Sequence, residues 1–303
     1  MTYAVIYEKA ITRKYKAPCC SSAYILKVIL VTVTTVLPLI IAYITQGFWK
    51  KHGDYREQPR VEFKDREIFM LRCKDPQDYF VWSSYSILNQ AEFSKLKIPI
   101  IEVQKTDEND DGIIDKIEFD VEFPLSSNDY IAGVFWLILF DYQLSYRSFF
   151  SSEIALLGDE YFFQPISAIS IGGDLVFDQR MPLQSFGHYM TTDAPLINDS
   201  KADPSHYELH EIMKRYSKKN FTATLKRNYK FLTMKKPSDT AFNLHLIINI
   251  PEQIFVYQTG FFELIKWAWI QYFAIFIVIH FFTTKLFEFI LENHCFLTIV
   301  DAN

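Results

Sequence analysis

Val28-Ile-Leu-Val-Thr-Val-Thr-Thr-Val-Leu-Pro-Leu-Ile-Ile-Ala-Tyr-Ile-Thr45 contains no charged residue. As a helix it is ~27 Å long, close to the hydrocarbon thickness of a bilayer. Lys27 precedes it, and Phe48, Trp49, Lys50 and Lys51 follow it. Aromatic and basic residues at both ends suit a membrane interface. Trp267 to Thr284 repeats the pattern: apolar and uncharged, opened by Trp267, Trp269 and Tyr272, and closed by Lys285. Core helices of soluble proteins rarely run so long without a charge. The first stretch is also longer than a signal-peptide core, and the bulky Gln46-Gly47-Phe48-Trp49 offers no small-residue cleavage site. Two retained transmembrane helices are therefore expected. Pro38 is expected to kink the first without breaking it.

These spans divide the chain into an arm (1–27), a first span (28–45), a loop (46–266), a second span (267–284) and a tail (285–303). The loop carries 25 Lys and Arg against 32 Asp and Glu, a net of −7. It has no basic face suited to nucleic acid. It is long enough to bury a core of its own. The arm, with Lys9, Arg13, Lys14, Lys16 and Lys27, argues for a cytosolic N-terminus. Lys50, Lys51 and Arg56 argue the other way. Asn198-Asp199-Ser200 and Asn220-Phe221-Thr222 are glycosylation sequons and tip the balance. Both termini are expected in the cytosol, with the loop outside.

Within the loop, short strand-like runs alternate with turn signals. Lys116–Leu125 places Ile117, Phe119, Val121 and Phe123 on one face, and Glu118, Asp120 and Glu122 on the other. Ile131–Phe140 is continuously apolar and reads as a central strand buried on both faces. Tyr79–Ile87 and Ile98–Val103 read as strands, the latter an edge or a strand start because of Pro99, Gly172-Gly173-Asp174 as a hairpin turn, and His206–Lys218 as a helix. The expected fold is a mainly β, sandwich-like extracellular domain flanked by two transmembrane α-helices.

The sharpest motif is Asp107-Glu-Asn-Asp-Asp-Gly-Ile-Ile-Asp-Lys-Ile-Glu118. Asp107, Asn109, Asp111, Asp115 and Glu118 fall where a calcium loop places its oxygen ligands, with Gly112 at the tight turn. A structural calcium ion is the functional reading. An acidic hairpin turn closed by Asp111-Gly112 is the other, and the strand-like flanks rule out an EF-hand. Cys19 and Cys20, just before the first span, are candidates for palmitoylation or are two inert thiols. Cys73 is alone in the loop, so no disulfide is expected there. His206 and His210 lack the Glu spacing of a zinc protease. No nucleophile elbow, phosphate loop or paired-cysteine site assigns a reaction, so a non-enzyme is expected.

Five further segments carry a resemblance. They are Gly47-Phe48-Trp49, Tyr55-x-Glu57-Gln58-Pro59, Asn109-Asp110-Asp111-Gly112-x-x-Asp115, Tyr257-Gln258-x-Gly260-Phe261, and Lys266-Trp267-Ala268-Trp269-Ile270-Gln271-Tyr272. Together they resemble the transmembrane protein 231 family of the ciliary transition zone. The resemblance runs from the arm through the second span; the tail is dissimilar. It implies a two-span protein of the ciliary membrane that works in the Meckel syndrome (tectonic-like) complex beside tectonic proteins, meckelin and B-nine-domain proteins. It implies a non-catalytic role in the diffusion barrier that sets ciliary membrane composition and supports cilium assembly and signalling. The alternative from a different class is an auxiliary or pore-forming channel subunit. Only Thr32, Thr34, Thr35, Gln271 and His280 could line a pore.

Overall fold

The architecture is seen in a computed structural model, which describes residues 13–18, 21–46, 49–75, 77–126, 129–185, 188–190, 195–197 and 209–302. In chain order the elements are β1 (Arg13–Lys16), α1 (Ser22–Gln46), β2 (His52–Glu57), β3 (Arg60–Cys73), β4 (Tyr79–Ser83), α2 (Ser86–Ala91), β5 (Ile100–Thr106), β6 (Lys116–Pro124), β7 (Ile131–Leu144) and β8 (Phe149–Tyr161). They continue with β9 (Ile166–Gln179), β10 (Leu183–Gln184), β11 (His188–Met190), α3 (Leu209–Tyr216), β12 (Phe221–Met234), β13 (Ala241–Asn249), β14 (Gln253–Gln258), α4 (Phe261–Glu292) and β15 (Ile299–Ala302). The chain forms two units, one from the terminal segments and one from His52–Gln258.

In the terminal unit, α1 and α4 are both long and apolar enough to cross a membrane. Each extends past the uncharged stretch that betrays it in the sequence. Their contact is a seam of small side chains: Ala23, Thr34, Pro38 and Ala42 on α1 and Ala268 on α4 are buried. Small residues let two backbones approach closely where no hydrophobic effect drives them together. Across the seam the Thr34 and Thr283 hydroxyls share a hydrogen bond of 2.9 Å. Helix α1 continues through Pro38. Near the ends of the chain, β1 pairs with β15 antiparallel.

The second unit is a sandwich of two five-stranded sheets, ordered β11-β8-β7-β3-β4 and β12-β9-β13-β6-β5. One core lies between them. The Phe63 ring meets Phe119 edge-on at 4.9 Å, and Tyr142 stacks on Phe177 at 4.6 Å. Strand β6 alternates as its sequence requires, with Ile117, Phe119, Val121 and Phe123 buried. The other face of β7 is covered too. Phe135, Leu137 and Leu139 belong to a second cluster with Ile212 and Tyr216 of α3. That double burial explains the unbroken apolar run from Ile131 to Phe140. A third sheet, β10-β14-β2, joins the first and last strands of the unit.

Two local expectations are corrected. Gly172 and Gly173 do not turn; they lie inside β9. A Cβ at Gly172 would come within 2.2 Å of the Tyr229 ring of β12, and one at Gly173 within 2.6 Å of the Lys226 carbonyl. The pair makes room for a neighbouring strand, not for a reversal. The run Tyr79–Ile87 ends as a strand at Ser83 and re-forms as α2. Asn89 Oδ1 accepts the Ser83 N–H at 3.0 Å, and Asn89 Nδ2 donates to the Ser83 carbonyl at 2.7 Å, which closes the turn between them. Past the first span, β2 is fastened to β14 in antiparallel register from Gln253↔Glu57 to Gln258↔His52.

Candidate functional site

The acidic loop between β5 and β6 folds on itself. Asp107 Oδ2 accepts the Gly112 N–H at 2.8 Å, Asn109 Oδ1 the Asp111 N–H at 3.0 Å, and Asp111 Oδ1 the Ile113 N–H at 2.7 Å. Asp110 and Gly112 take positive φ, 57° and 81°, the left-handed conformation that Asn, Asp and Gly tolerate. Asp115 is tied on two sides: its Oδ1 accepts from Gln58 Nε2 at 2.7 Å, and its Oδ2 from the Glu108 N–H at 2.8 Å. The Gln58 hydrogen bond, then the backbone one, holds its carboxyl below the ordinary range. Gln58 also donates to the Ile250 carbonyl at 3.1 Å, so the loop is pinned to the sandwich.

The five candidate calcium ligands are therefore only partly gathered. Asp107, Asn109, Asp111 and Asp115 share one loop. Glu118 lies in β6, opposite Gln104 and Ile247, and forms an ion pair with Lys116. Among the described residues no three His, Cys, Asp or Glu converge as metal ligands would. Asp107 Oδ1 is enclosed and has no hydrogen-bond partner among the described residues.

The sequon residue Asn220 is exposed in the turn between α3 and β12, where its carbonyl accepts the Arg180 N–H at 3.0 Å. Asn198, Cys19, Cys20 and His206 lie outside the described residues. Cys73 is a free thiol, half-buried at the end of β3, and burial raises its pKa. Where the first span ends and the second begins, Lys50 sits over the Trp267 ring at 5.1 Å. That cation–π contact joins the basic and aromatic flanks that the sequence sets apart.

Two features carry no sequence signal. Glu160 is buried at the edge of β8, in ion pairs with Arg227 and Lys230 of β12. Glu67 is buried on β3, and desolvation first, then Asp65, pushes its pKa up to about 7. The ion-pair partners of Glu160 and the burial of Glu67 come from segments distant in sequence.

A match across the chain settles the kinship. The family model for transmembrane protein 231 matches residues 1–300. The chain belongs to the transmembrane protein 231 family. Transmembrane protein 231 of Gallus gallus is 31% identical over 294 residues, covering 95% of this chain and 91% of that protein. The Mus musculus protein is 29% identical, covering 95% and 92%, and the Homo sapiens protein 28%, covering 97% and 93%. As a member of the transmembrane protein 231 family this chain is a membrane protein, with α1 and α4 as its spans. A cryo-EM structure of a proton-activated chloride channel superposes on 88% of this chain and 99% of that one, at 9% identity and a TM-score of 0.25. That superposition is too loose to carry an argument about fold or function.

Proposed function

We propose that this protein is a non-catalytic component of the ciliary transition zone, where it scaffolds the barrier that controls ciliary membrane composition. The observation that carries the reading is family membership across residues 1–300. Its partners are tectonic proteins, meckelin and B-nine-domain proteins, as the resemblance implies. The termini lie in the cytosol and the sandwich outside. An exposed Asn220 supports that orientation, since a glycan added there meets no packed neighbour. Two helices that pack by small residues and one hydroxyl pair suit an anchor more than a pore.

The test is deletion in ciliated cells, with a tagged copy restored. Non-ciliary membrane proteins should enter the cilium, and tectonic-type partners should disperse from its base. The tagged copy should localise to the base and reverse both effects. Partners left in place, with an unchanged ciliary membrane, would sink the reading; a conductance lost in the same cells would favour a channel subunit.

A further inference from the structure

Each sheet of the sandwich ends in an edge strand on the side away from β8 and β12. The edge of β4 is closed by its own chain: Leu96 bridges to Val81, and the Lys97 N–H donates to the Val81 carbonyl at 3.2 Å. On the opposite side, Glu160 of β8 holds Arg227 and Lys230 of β12. Among the described residues strand β5 has no such cover and pairs only with β6.

The hydrogen-bond parity of β5 is fixed. The Thr106 carbonyl accepts the Asp115 N–H at 3.0 Å, so Thr106 points its backbone groups toward β6. Backbone direction alternates along a strand, so Glu102 and Gln104 point the same way, while Ile101, Val103 and Lys105 aim N–H and C=O outward. That row is a template for another strand. Side chains alternate as well. Ile101 and Val103 pack against the sandwich core yet are only half-buried, because no strand lies beyond them among the described residues. On the outer face Ile100 is 63% exposed.

The charge of this face is unbalanced. Glu102 stands directly opposite Asp120 in the ladder, and Ile100 opposite Glu122. Like charges opposed on neighbouring strands destabilise a sheet. His245 pairs with Asp120, but among the described residues Glu102 and Glu122 meet no Lys or Arg in an ion pair. A free backbone edge, a half-covered apolar row and an uncompensated acidic row lie on the same strand.

The geometry points to β5 as a docking edge for an extended basic segment of a partner protein, added as a further strand of the sheet. The segment alternates. Its apolar residues cover Ile101 and Val103, and its Lys or Arg residues lie beside Glu102 and relieve the opposition to Asp120. Backbone hydrogen bonds supply affinity, and the alternation supplies selection. Pro99 and Lys105 bound the window, so the contact is short and suits a reversible interaction. The proposal deepens the scaffold reading, and rests on it only in giving the outer domain a protein partner. A binding test on purified protein can fail while the ciliary phenotype stands.

The experiment uses the full chain in nanodiscs and a short capped peptide of alternating lysine and valine. The peptide should bind, more weakly as salt rises. The same peptide N-methylated at every amide keeps its charge but lacks strand donors; it should bind at least about tenfold more weakly. Glu102→Lys should weaken the unmodified peptide by about tenfold. Val103→Pro removes an outward N–H without breaking a ladder bond to β6, and also trims a half-buried side chain; it should act likewise, with its melting temperature recorded beside it. No binding, or equal binding of the methylated peptide, overturns the proposal. So does a dimer of the free chain, lost in Val103→Pro, because the occupant would then be a second copy.

Discussion

Glu67→Gln should change how the stability of the outer domain depends on pH. Glu67 is 5% exposed, and its Oε2 has no hydrogen-bond partner among the described residues. Its backbone is committed to Ser84: the Glu67 N–H donates to Ser84 Oγ at 3.1 Å, and its carbonyl accepts the Ser84 N–H at 3.0 Å. The side chain cannot leave without breaking the junction of β3 and β4. The carboxyl therefore prefers its proton, with a pKa of about 7 against 4.5 for the free group. A folded-state pKa raised in this way adds stability below the unfolded value and loses it as pH rises through the folded one. The whole shift is worth about 3 kcal/mol as an upper bound, at ~1.4 kcal/mol per unit. Most of the loss falls between about pH 5 and about pH 8. Denaturation of the full chain, followed by the circular dichroism of the β-sandwich, should show wild type weakening across that range. Glu67→Gln, neutral throughout, should be flatter by about 2 kcal/mol. Comparing slopes removes the fixed cost of the amide. Parallel curves would refute the reasoning, because they would mean that Glu67 is ionised and satisfied in the folded state.

Other perturbations follow from packing. Gly158 lies opposite Trp136, and a Cβ there would come within 2.1 Å of the indole; Gly158→Ala should cost about 1–3 kcal/mol, read as a lowered Tm. Thr34→Val and Thr283→Val should each loosen the paired spans by about 0.6 kcal/mol, seen as faster cysteine cross-linking to other chains, and the double variant should add little. Asn220→Gln should abolish any glycan-dependent gel shift that survives Asn198→Gln. Calcium binding by Asp107, Asn109, Asp111 and Asp115 predicts a Tm that rises by several degrees in millimolar calcium over chelator and falls back in Asp111→Ala; an unchanged Tm makes the loop an acidic turn closed by its own hydrogen bonds.

Local periodicity made most of the sandwich legible. Lys116–Leu125 alternates because one face of β6 meets the core, and Ile131–Phe140 does not because β7 is covered twice. The two spans are legible because a bilayer admits no charge over that length. What stayed hidden depends on contacts across the chain. Nothing near Gly172 announces Tyr229, whose ring needs the missing side chain, so the pair looked like a turn. Nothing near Glu67 announces its burial. The acidic loop was legible as a turn with calcium spacing, but its register in β6 carries Glu118 to Lys116. Pro99 marked Ile98–Val103 as an edge or a strand start, and β5 does end its sheet, but which of its sides stays open depends on strands distant in the chain.

The ladder between β2 and β14 has a mechanical consequence. Its six registered pairs end at His52↔Gln258, where both chain connections leave the sandwich unit. A load that draws those two points apart strains the terminal pair first, then the next, as a zipper parts. A load along the strands would have to shear all the pairs together. Lateral tension between the chain ends thus loads the pairs one at a time, and once the parting reaches Tyr55↔Phe255 it draws Phe255 off the Phe177 ring, so the ladder couples the chain ends to the aromatic core.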